Sequence, residues 1–405
     1  MDRMTNTVRP YAWGSRTAIP ELLGAEPTGE PQAELWMGAH PGAPSRLDRA
    51  GAALDAAIAA DPGAELGVET VARFGPRLPF LLKLLAAAQP LSLQVHPDLE
   101  QAKAGFADEE RRGVPIDAPH RNYKDANHKP EMLVALGDFD GLCGFRRAAE
   151  AAELLDGLGV PELAPYVETL RAKPEPEALR EVLTAVLDAG PGQLPVDAVA
   201  AALPTAPALS PHARAAYTAV AENYPGDPGV IAALLLNHVR LSAGEALYLG
   251  AGVPHAYLSG LGVEIMANSD NVLRCGLTPK HVDVPELLRI VRFEGTDPTV
   301  VRPVPTAVPG ELLYPAPVPD FRLSRLTRPE GGPGEPAVLD AGAPQILLCT
   351  AGSAELSETD GDEGIRLVAG ESAYLRAAGP RTRVAVAPGG TVFRATVNLS
   401  EGSTE

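Results

Sequence analysis

In the stretch PLSLQVHPD, residues 90–98, Ser92, Gln94 and His96 alternate with Leu91, Leu93 and Val95. Successive side chains of a strand point to opposite faces, so this stretch sets an apolar face against a row of polar groups. A polar row where apolar side chains are expected needs partners, because buried donors and acceptors left alone are costly. A second such place is DANHKPEMLVAL, where period two puts Lys129, Glu131 and Leu133 on one face at the mouth of a strand. A third is His255, which ends the glycine-rich segment LSAGEALYLGAGVPH. Amide, imidazole and carboxylate groups brought together can bind a divalent metal or move protons.

The elements that must carry these groups follow from the rest of the chain. Its 405 residues allow two or three domains, and 45% hydrophobic with 21% charged residues is ordinary globular composition. The net charge of −18 argues against a nucleic-acid or anionic-membrane partner, since both need a basic face. An anionic substrate then requires a local gathering of Lys and Arg. The start, MDRMTNTVRPYAWG, lacks an apolar secretory core, and PFLLKLLAAAQPL is interrupted by Lys83 and Pro90, so a cytoplasmic protein is expected. Cys143, Cys275 and Cys349 are odd in number and far apart, as befits buried free thiols.

Residues 1–50 are rich in turns and hold two tryptophan spots, YAWGS and AELWMGAHP; His40 in the second is expected to be structural. Residues 51–73 have helical periodicity, with Asp61-Pro62 opening a second helix. RLPFLLKLLAAAQPLSLQVHPD gives two strand-like runs, and Lys83 in the first is either snorkelling or paired. Residues 99–127 are polar and predict a helix with a long loop, a length typical of lids. Residues 146–236 are short amphipathic helices separated by Gly and Pro, an insertion in a strand-rich chain. Strand texture returns at 237. Residues 294–320 carry many prolines, as a linker or extended crossing does, and the remainder to 405 is short strands with acidic turns.

One unit occurs twice. Residues 241–255 and 367–381 align without gaps, and 8 of 15 positions are identical, including Gly244/Gly370, Glu245/Glu371 and Tyr248/Tyr374. Self-similarity implies a repeated strand–turn–strand architecture. Where the first copy ends in His255 the second has Arg381, and residues 300–405 contain no His. The second copy keeps the shape and lacks the chemistry.

Gly244, Gly250, Gly252 and His255 form a G-x5-G-x-G-x2-H pattern that resembles the second half of the cupin signature, with Gln94, His96 and Glu131 in the places of its first half. Closing a barrel would bring these four groups together. Two imidazoles, a carboxylate and an amide oxygen suit zinc, one ion per chain, with water or substrate completing the site.

YAWGS, AELWMGAHP, PLSLQVHPD, HKPEM, AGVPHAYLSG, GVEIMANSDN and LRCGLTPKHVD resemble, in order, the sequence blocks of type I mannose-6-phosphate isomerases (phosphomannose isomerases) of the cupin superfamily. The likeness is good over 10–145 and 240–292 and weaker across the helical insertion and the tail. It implies a mainly β fold with an α insertion: two cupin-like jelly-roll barrels plus an inserted helical domain. The zinc barrel would take residues 1–145 and 237–295, the helical domain 146–236, and a barrel without a metal site 296–405. By the resemblance, Gln94, His96, Glu131 and His255 fall on the zinc ligands and Arg274 on the active-site arginine. Ser259 departs from the general cupin pattern, which has Asn there.

The implied reaction interconverts mannose 6-phosphate and fructose 6-phosphate through an enediol. It needs a Lewis acid, a base, stabilisation of the enediolate, and an anion seat. Arg274 can neutralise developing charge, its alternative being a structural ion pair. Ser92, Lys83, Lys129 and Lys280 are candidates for the phosphate seat. The base is Glu264, Lys129 or a metal-held hydroxide, and Glu264 could instead only pair with a cation such as Arg274. A non-catalytic bicupin that binds sugar phosphates stays open. An iron-dependent dioxygenase is disfavoured, because such an enzyme has no reason to ring its metal with Lys83, Lys129, Arg274 and Lys280. The expected partner is a small sugar phosphate, and the expected state is a monomer.

Overall fold

The computed structural model describes residues 1–399 apart from 191, 333, 360, 362 and 363. The chain is mainly β-sheet, with six of its α-helices between Ala148 and Leu234. The expectation of strand-rich segments around a helical insertion therefore matches the element order.

The strand Phe80–Ala87 is buried along its whole length, and its two faces diverge. Phe80, Leu82, Leu84 and Ala86 enter one apolar core, while Leu81 and Leu85 join smaller clusters on the face that Lys83 shares. On one side this strand pairs with Glu34–Met37, and on the other with the 13-residue strand His255–Ala267. That long strand serves two partners. Its first part pairs His255 with Gln94 and with Cys143, and its second part pairs with Phe80–Ala87 and Glu131–Ala135. A register shift between Tyr257 and Ser259 and a bend at Gly260 separate the two parts. Gly260 has φ +125°, and a Cβ there would sit 2.8 Å from the Asp138 carbonyl oxygen, so the bend needs glycine. The shift also changes face parity. His255 and Glu264 are an odd number of residues apart, yet both turn toward the same interior.

PLSLQVHPD is a ladder only at Gln94–Val95, shorter than the strand expected over 90–98. The backbone around it changes partners residue by residue: Leu91 N donates to Tyr257 O and Leu93 N to Gly276 O. Leu93 and Val95 do face an apolar core, the one built by the helical insertion, whereas Leu91 turns with Ser92 to the cleft. Residues 99–127 begin with the helix Leu99–Arg111, opened by a capping box between Asp98 and Gln101. The loop after it is pinned by the buried Arg121, which donates to Tyr123 O (2.7 Å) and to Glu110 Oε1 (2.6 Å).

The two copies of the repeat share their hydrogen bonding. Gly244 and Gly370 have φ of +84° and +87°. Glu245 N donates to Ser242 O, and Glu371 N to Val368 O, both at 3.0 Å. Each glutamate carboxylate reaches back to the matching amide, Ser242 N in the first copy and Val368 N in the second.

The C-terminal part forms an eight-stranded and a four-stranded sheet. The eight-stranded sheet also takes in Asp2–Thr5, which pairs with Ser372–Leu375, and Arg46–Leu47. The N-terminal residues thus leave the sheet of the site and join the far one. The proline-rich stretch is an extended crossing: Val300–Val301 pairs with Ala246–Leu247, and Val304–Pro305 with Leu312–Leu313 in the eight-stranded sheet. One apolar core joins both sides, with Leu82, Leu84 and Ile265 packed in the same cluster as Ile346, Leu348 and Phe393.

Candidate active site

Glu131 stands between two imidazoles. Its Oε1 is 3.5 Å from His96 Nε2, and its Oε2 is 3.5 Å from His255 Nε2. The three side chains offer atoms that all lie within 4.8 Å of one another, and all three residues are buried. His96 Nδ1 lies 2.8 Å from the Asn271 carbonyl, and His255 Nδ1 lies 2.9 Å from that of Val253. A carbonyl only accepts, so each ring carries its proton on Nδ1 and turns the Nε2 lone pair inward. Both Nε2 atoms and Glu131 Oε2 are buried without a hydrogen-bond partner among the described residues. Three inward lone pairs with nothing to bind are what a cation would satisfy. A tetrahedral ion with bonds near 2.1 Å sets its ligand atoms roughly 3.4 Å apart, close to the spacing found. The residues therefore fit a zinc ion.

Gln94 pairs in register with both His255 and Arg274. Its side-chain amide has no hydrogen-bond partner among the described residues and faces a cleft of about 410 Å3. Burial, with the charges of Lys129 and His255, lowers the His96 pKa to about 4 against the pull of Glu131, so the ring is neutral and able to ligate. Burial would raise the Glu131 pKa, but Lys129, at 3.1 Å, and the two histidines hold it well below the usual carboxylate range.

The cleft gathers Lys83, Ser92, Gln94, Lys129, Arg274 and Lys280, all named by the sequence. They fall into two groups. Lys83 is bound by Glu264 (2.9 Å) and Glu34 (3.5 Å), and Lys129 by Glu131. Arg274 and Lys280 have no ion-pair or hydrogen-bond partner for their cationic heads among the described residues. The structural ion pair considered for Arg274 is absent there. Burial lowers the pKa of both, and the Arg274 charge also lowers that of Lys280. Glu264 pairs with Lys83, not with Arg274, and lies behind it, outside the cleft lining. Burial raises its pKa, and Glu131 and Glu34 add to the rise against the pull of Lys83 and Lys129. Burial works against the charge of Lys83, but Glu264, Glu34 and Glu131 outweigh it and keep the ammonium protonated.

His40 is not a ligand. Its Nδ1 accepts from Gly42 N at 3.0 Å, its Nε2 is 3.1 Å from Asp270, and its ring meets that of Trp36 edge-on. No residue of 99–127 lines the cleft, so the lid expected of that segment is not seen. Three participants were not singled out from sequence. Glu34 and Asp270 line the cleft. The Asn271 amide accepts from Lys124 N and donates to the carbonyls of Asp125 and Asn127, while its own carbonyl orients His96. All three lie inside the blocks AELWMGAHP and GVEIMANSDN, but as single polar residues they carried no spacing signal. A larger cavity of about 470 Å3, near Val308 and Val386, contains none of the candidate residues.

Residues 1–148 match the profile of the phosphomannose isomerase type I catalytic domain. The chain is 40% identical over 381 residues to the mannose-6-phosphate isomerase of Escherichia coli K12, covering 93% of this chain and 95% of that one. It is 33% identical over 408 residues to that of Bos taurus, covering 91% and 92%. A zinc-bound crystal structure of mannose 6-phosphate isomerase superposes with TM-score 0.87 at 38% identity, covering 98% of this chain and 99% of that one. The chain belongs to the type I phosphomannose isomerases.

Proposed function

We propose that this chain is a zinc-dependent isomerase that interconverts mannose 6-phosphate and fructose 6-phosphate. The observation that carries the reading is the His96–Glu131–His255 cluster, with its unsatisfied inward nitrogens, beside a cleft holding two unpaired cations. The non-catalytic alternative has no such support, since the relatives it would have to resemble are named as isomerases.

His96, Glu131 and His255 would hold the zinc, with Gln94 as fourth ligand. When bound, the ion supplies a Lewis acid that polarises the oxygens on C1 and C2 of the sugar. Lys280 and Ser92 seat the phosphate, since Lys280 brings uncommitted positive charge into an otherwise acidic protein. Arg274 neutralises charge developing on the enediolate through its planar donor fork. Lys83, held protonated by its carboxylates, donates to a sugar oxygen. Glu264 is the base, with a raised pKa, and acts through Lys83: the ammonium gives a proton to Glu264 as it takes the one leaving the sugar carbon, so Lys83 stays charged throughout. Lys129 lines the cleft directly and shares in proton transfer.

The fold in this reading is two cupin-like jelly-roll barrels with an inserted helical domain. Residues 1–145 and 237–295 make the first barrel, 146–236 the insertion, and 296–405 the second barrel, with Asp2–Thr5 and Arg46–Leu47 lending strands to it. Residues 400–405 lie outside the described set. The protein acts as a cytoplasmic monomer on a small sugar phosphate and without nucleic acid.

A coupled assay for fructose 6-phosphate tests the activity. Turnover should vanish with a chelator and return with added zinc. Undiminished turnover after complete metal removal refutes the mechanism.

A further inference from the structure

The segment that presents Thr278 and Lys280 to the cleft is gripped from outside the sheet. Up to Gly276 the chain runs along the Gln94 strand: Leu273 pairs with Val95, Arg274 with Gln94, and Leu93 N donates to Gly276 O at 3.1 Å. It then turns at Leu277, whose φ of +55° is the one positive φ of a non-glycine residue among those described. The left-handed region is disfavoured for a side chain with a Cβ, so something must hold the turn.

Asp227, in the helical insertion, does so. Its Oδ1 accepts from Gly229 N (2.7 Å) and Leu277 N (3.3 Å), and its Oδ2 accepts from Thr278 N (3.1 Å). Contact this close needs glycine at 229, where a Cβ would lie 2.4 Å from Leu277 N. Beyond the turn, Lys280 N donates to Thr278 Oγ1 at 3.2 Å, and both residues line the cleft.

We propose that Asp227 is a positioning residue for the anion seat, holding the Leu277 turn so that Thr278 and Lys280 face the substrate phosphate. This rests on the phosphate seat assigned above. Without Asp227 the turn relaxes to other backbone conformers, and phosphate affinity falls by the fraction of chains no longer in the binding form. Gln94, Arg274, His255 and Glu131 are fixed by strand pairing, and His96 by the Asn271 carbonyl, so the chemical step is spared.

The test compares wild type, Asp227→Asn, Asp227→Ala and Lys280→Ala, each loaded with zinc, by KM, kcat and competitive inhibition by inorganic phosphate. In both Asp227 variants KM for mannose 6-phosphate and Ki for phosphate should rise about tenfold, with kcat within about threefold and zinc content unchanged. Asp227→Asn keeps the shape and one acceptor oxygen, and it reports if Asp227→Ala fails to fold. A folded Asp227→Asn with wild-type KM and Ki, or one that loses kcat alone, overturns the proposal. If Lys280→Ala weakens phosphate inhibition and Asp227→Asn does not, the seat stands and the role of Asp227 falls. If Lys280→Ala also leaves phosphate inhibition at the wild-type level, the seat itself is wrong and the inference falls with it.

Discussion

Two kinds of residue make up the site, the buried metal candidates beside the cleft and the cations that line it, and their charges separate their roles. His96, Glu131 and His255 leave inward lone pairs unsatisfied, so each should be indispensable for zinc. His96→Ala and Glu131→Gln are expected to reduce bound zinc from one per chain to a small fraction, read by metal analysis of the dialysed protein. Glu264 touches Lys83 and not the histidine cluster, so Glu264→Gln should keep its zinc. Its kcat should fall by about 10²–10⁴, the usual contribution of a positioned base. Wild-type turnover with zinc retained would remove Glu264 from the reaction. Asn271 acts one step back: its main-chain carbonyl orients His96, and its side-chain amide, bonded to Lys124 N and to the carbonyls of Asp125 and Asn127, holds that carbonyl in place. Replacing it with Ala should weaken zinc binding about 10–100-fold, measured by competition with a chromophoric chelator. The polar rows Ser92–Gln94–His96 and Lys129–Glu131 were legible from strand alternation, while the full ligand set with His255, and Arg274, came from the resemblance to the family's sequence blocks. The division of the cations into paired and unpaired was not legible. It depends on Glu34 and Glu264 standing beside Lys83 on neighbouring strands, which sequence separation hides.

At the scale of elements, the long strand His255–Ala267 decides the geometry. Its bulge puts His255 and Glu264 into one interior, although alternation alone would send them to opposite faces. A sequence shows the glycine but not the register shift, so strand periodicity gives no sign of the shared cavity. Likewise PLSLQVHPD has the alternation of a strand, but its backbone bonds to different segments in turn, and only Gln94–Val95 forms a ladder. Elements away from the site carry their own test. Glu311 accepts from Ser324 Oγ (2.6 Å), Thr306 Oγ1 (2.7 Å) and Arg394 Nη1 (2.9 Å) across three strands of the eight-stranded sheet. Burial alone would raise its pKa, but these partners bring it below the ordinary 4.5. A depressed folded pKa gives stability that is present above 4.5 and lost as pH falls through the folded value. Chemical denaturation of Glu311→Gln should show a loss of about 1–3 kcal/mol at neutral pH, shrinking on acidification below 4.5. A difference constant with pH would mean that the carboxylate charge is not what the network holds.

For the whole molecule, the repeat foretold a second copy of the strand–turn unit, and both copies share turn geometry down to the glutamate hydrogen bonds. The helical insertion and the proline-rich crossing were also readable, from periodicity and proline density. What sequence order could not show is that Asp2–Thr5 joins the C-terminal sheet and that one apolar core spans both sheets. Such sharing arises from long-range packing, which has no local signature. It predicts that the site cannot be isolated: a chain ending at residue 295 would expose Leu82, Leu84 and Ile265, and it should be insoluble or fail to unfold cooperatively. A soluble truncated chain with a sharp calorimetric transition would show two independent folding units. The central claim, a single ion held by side chains from three distant segments, is tested most directly by anomalous scattering at the zinc edge from a crystal of the zinc-loaded protein. One strong peak is expected, bounded by Gln94, His96, Glu131 and His255. A map with no peak there, or with its only peak elsewhere, would contradict it.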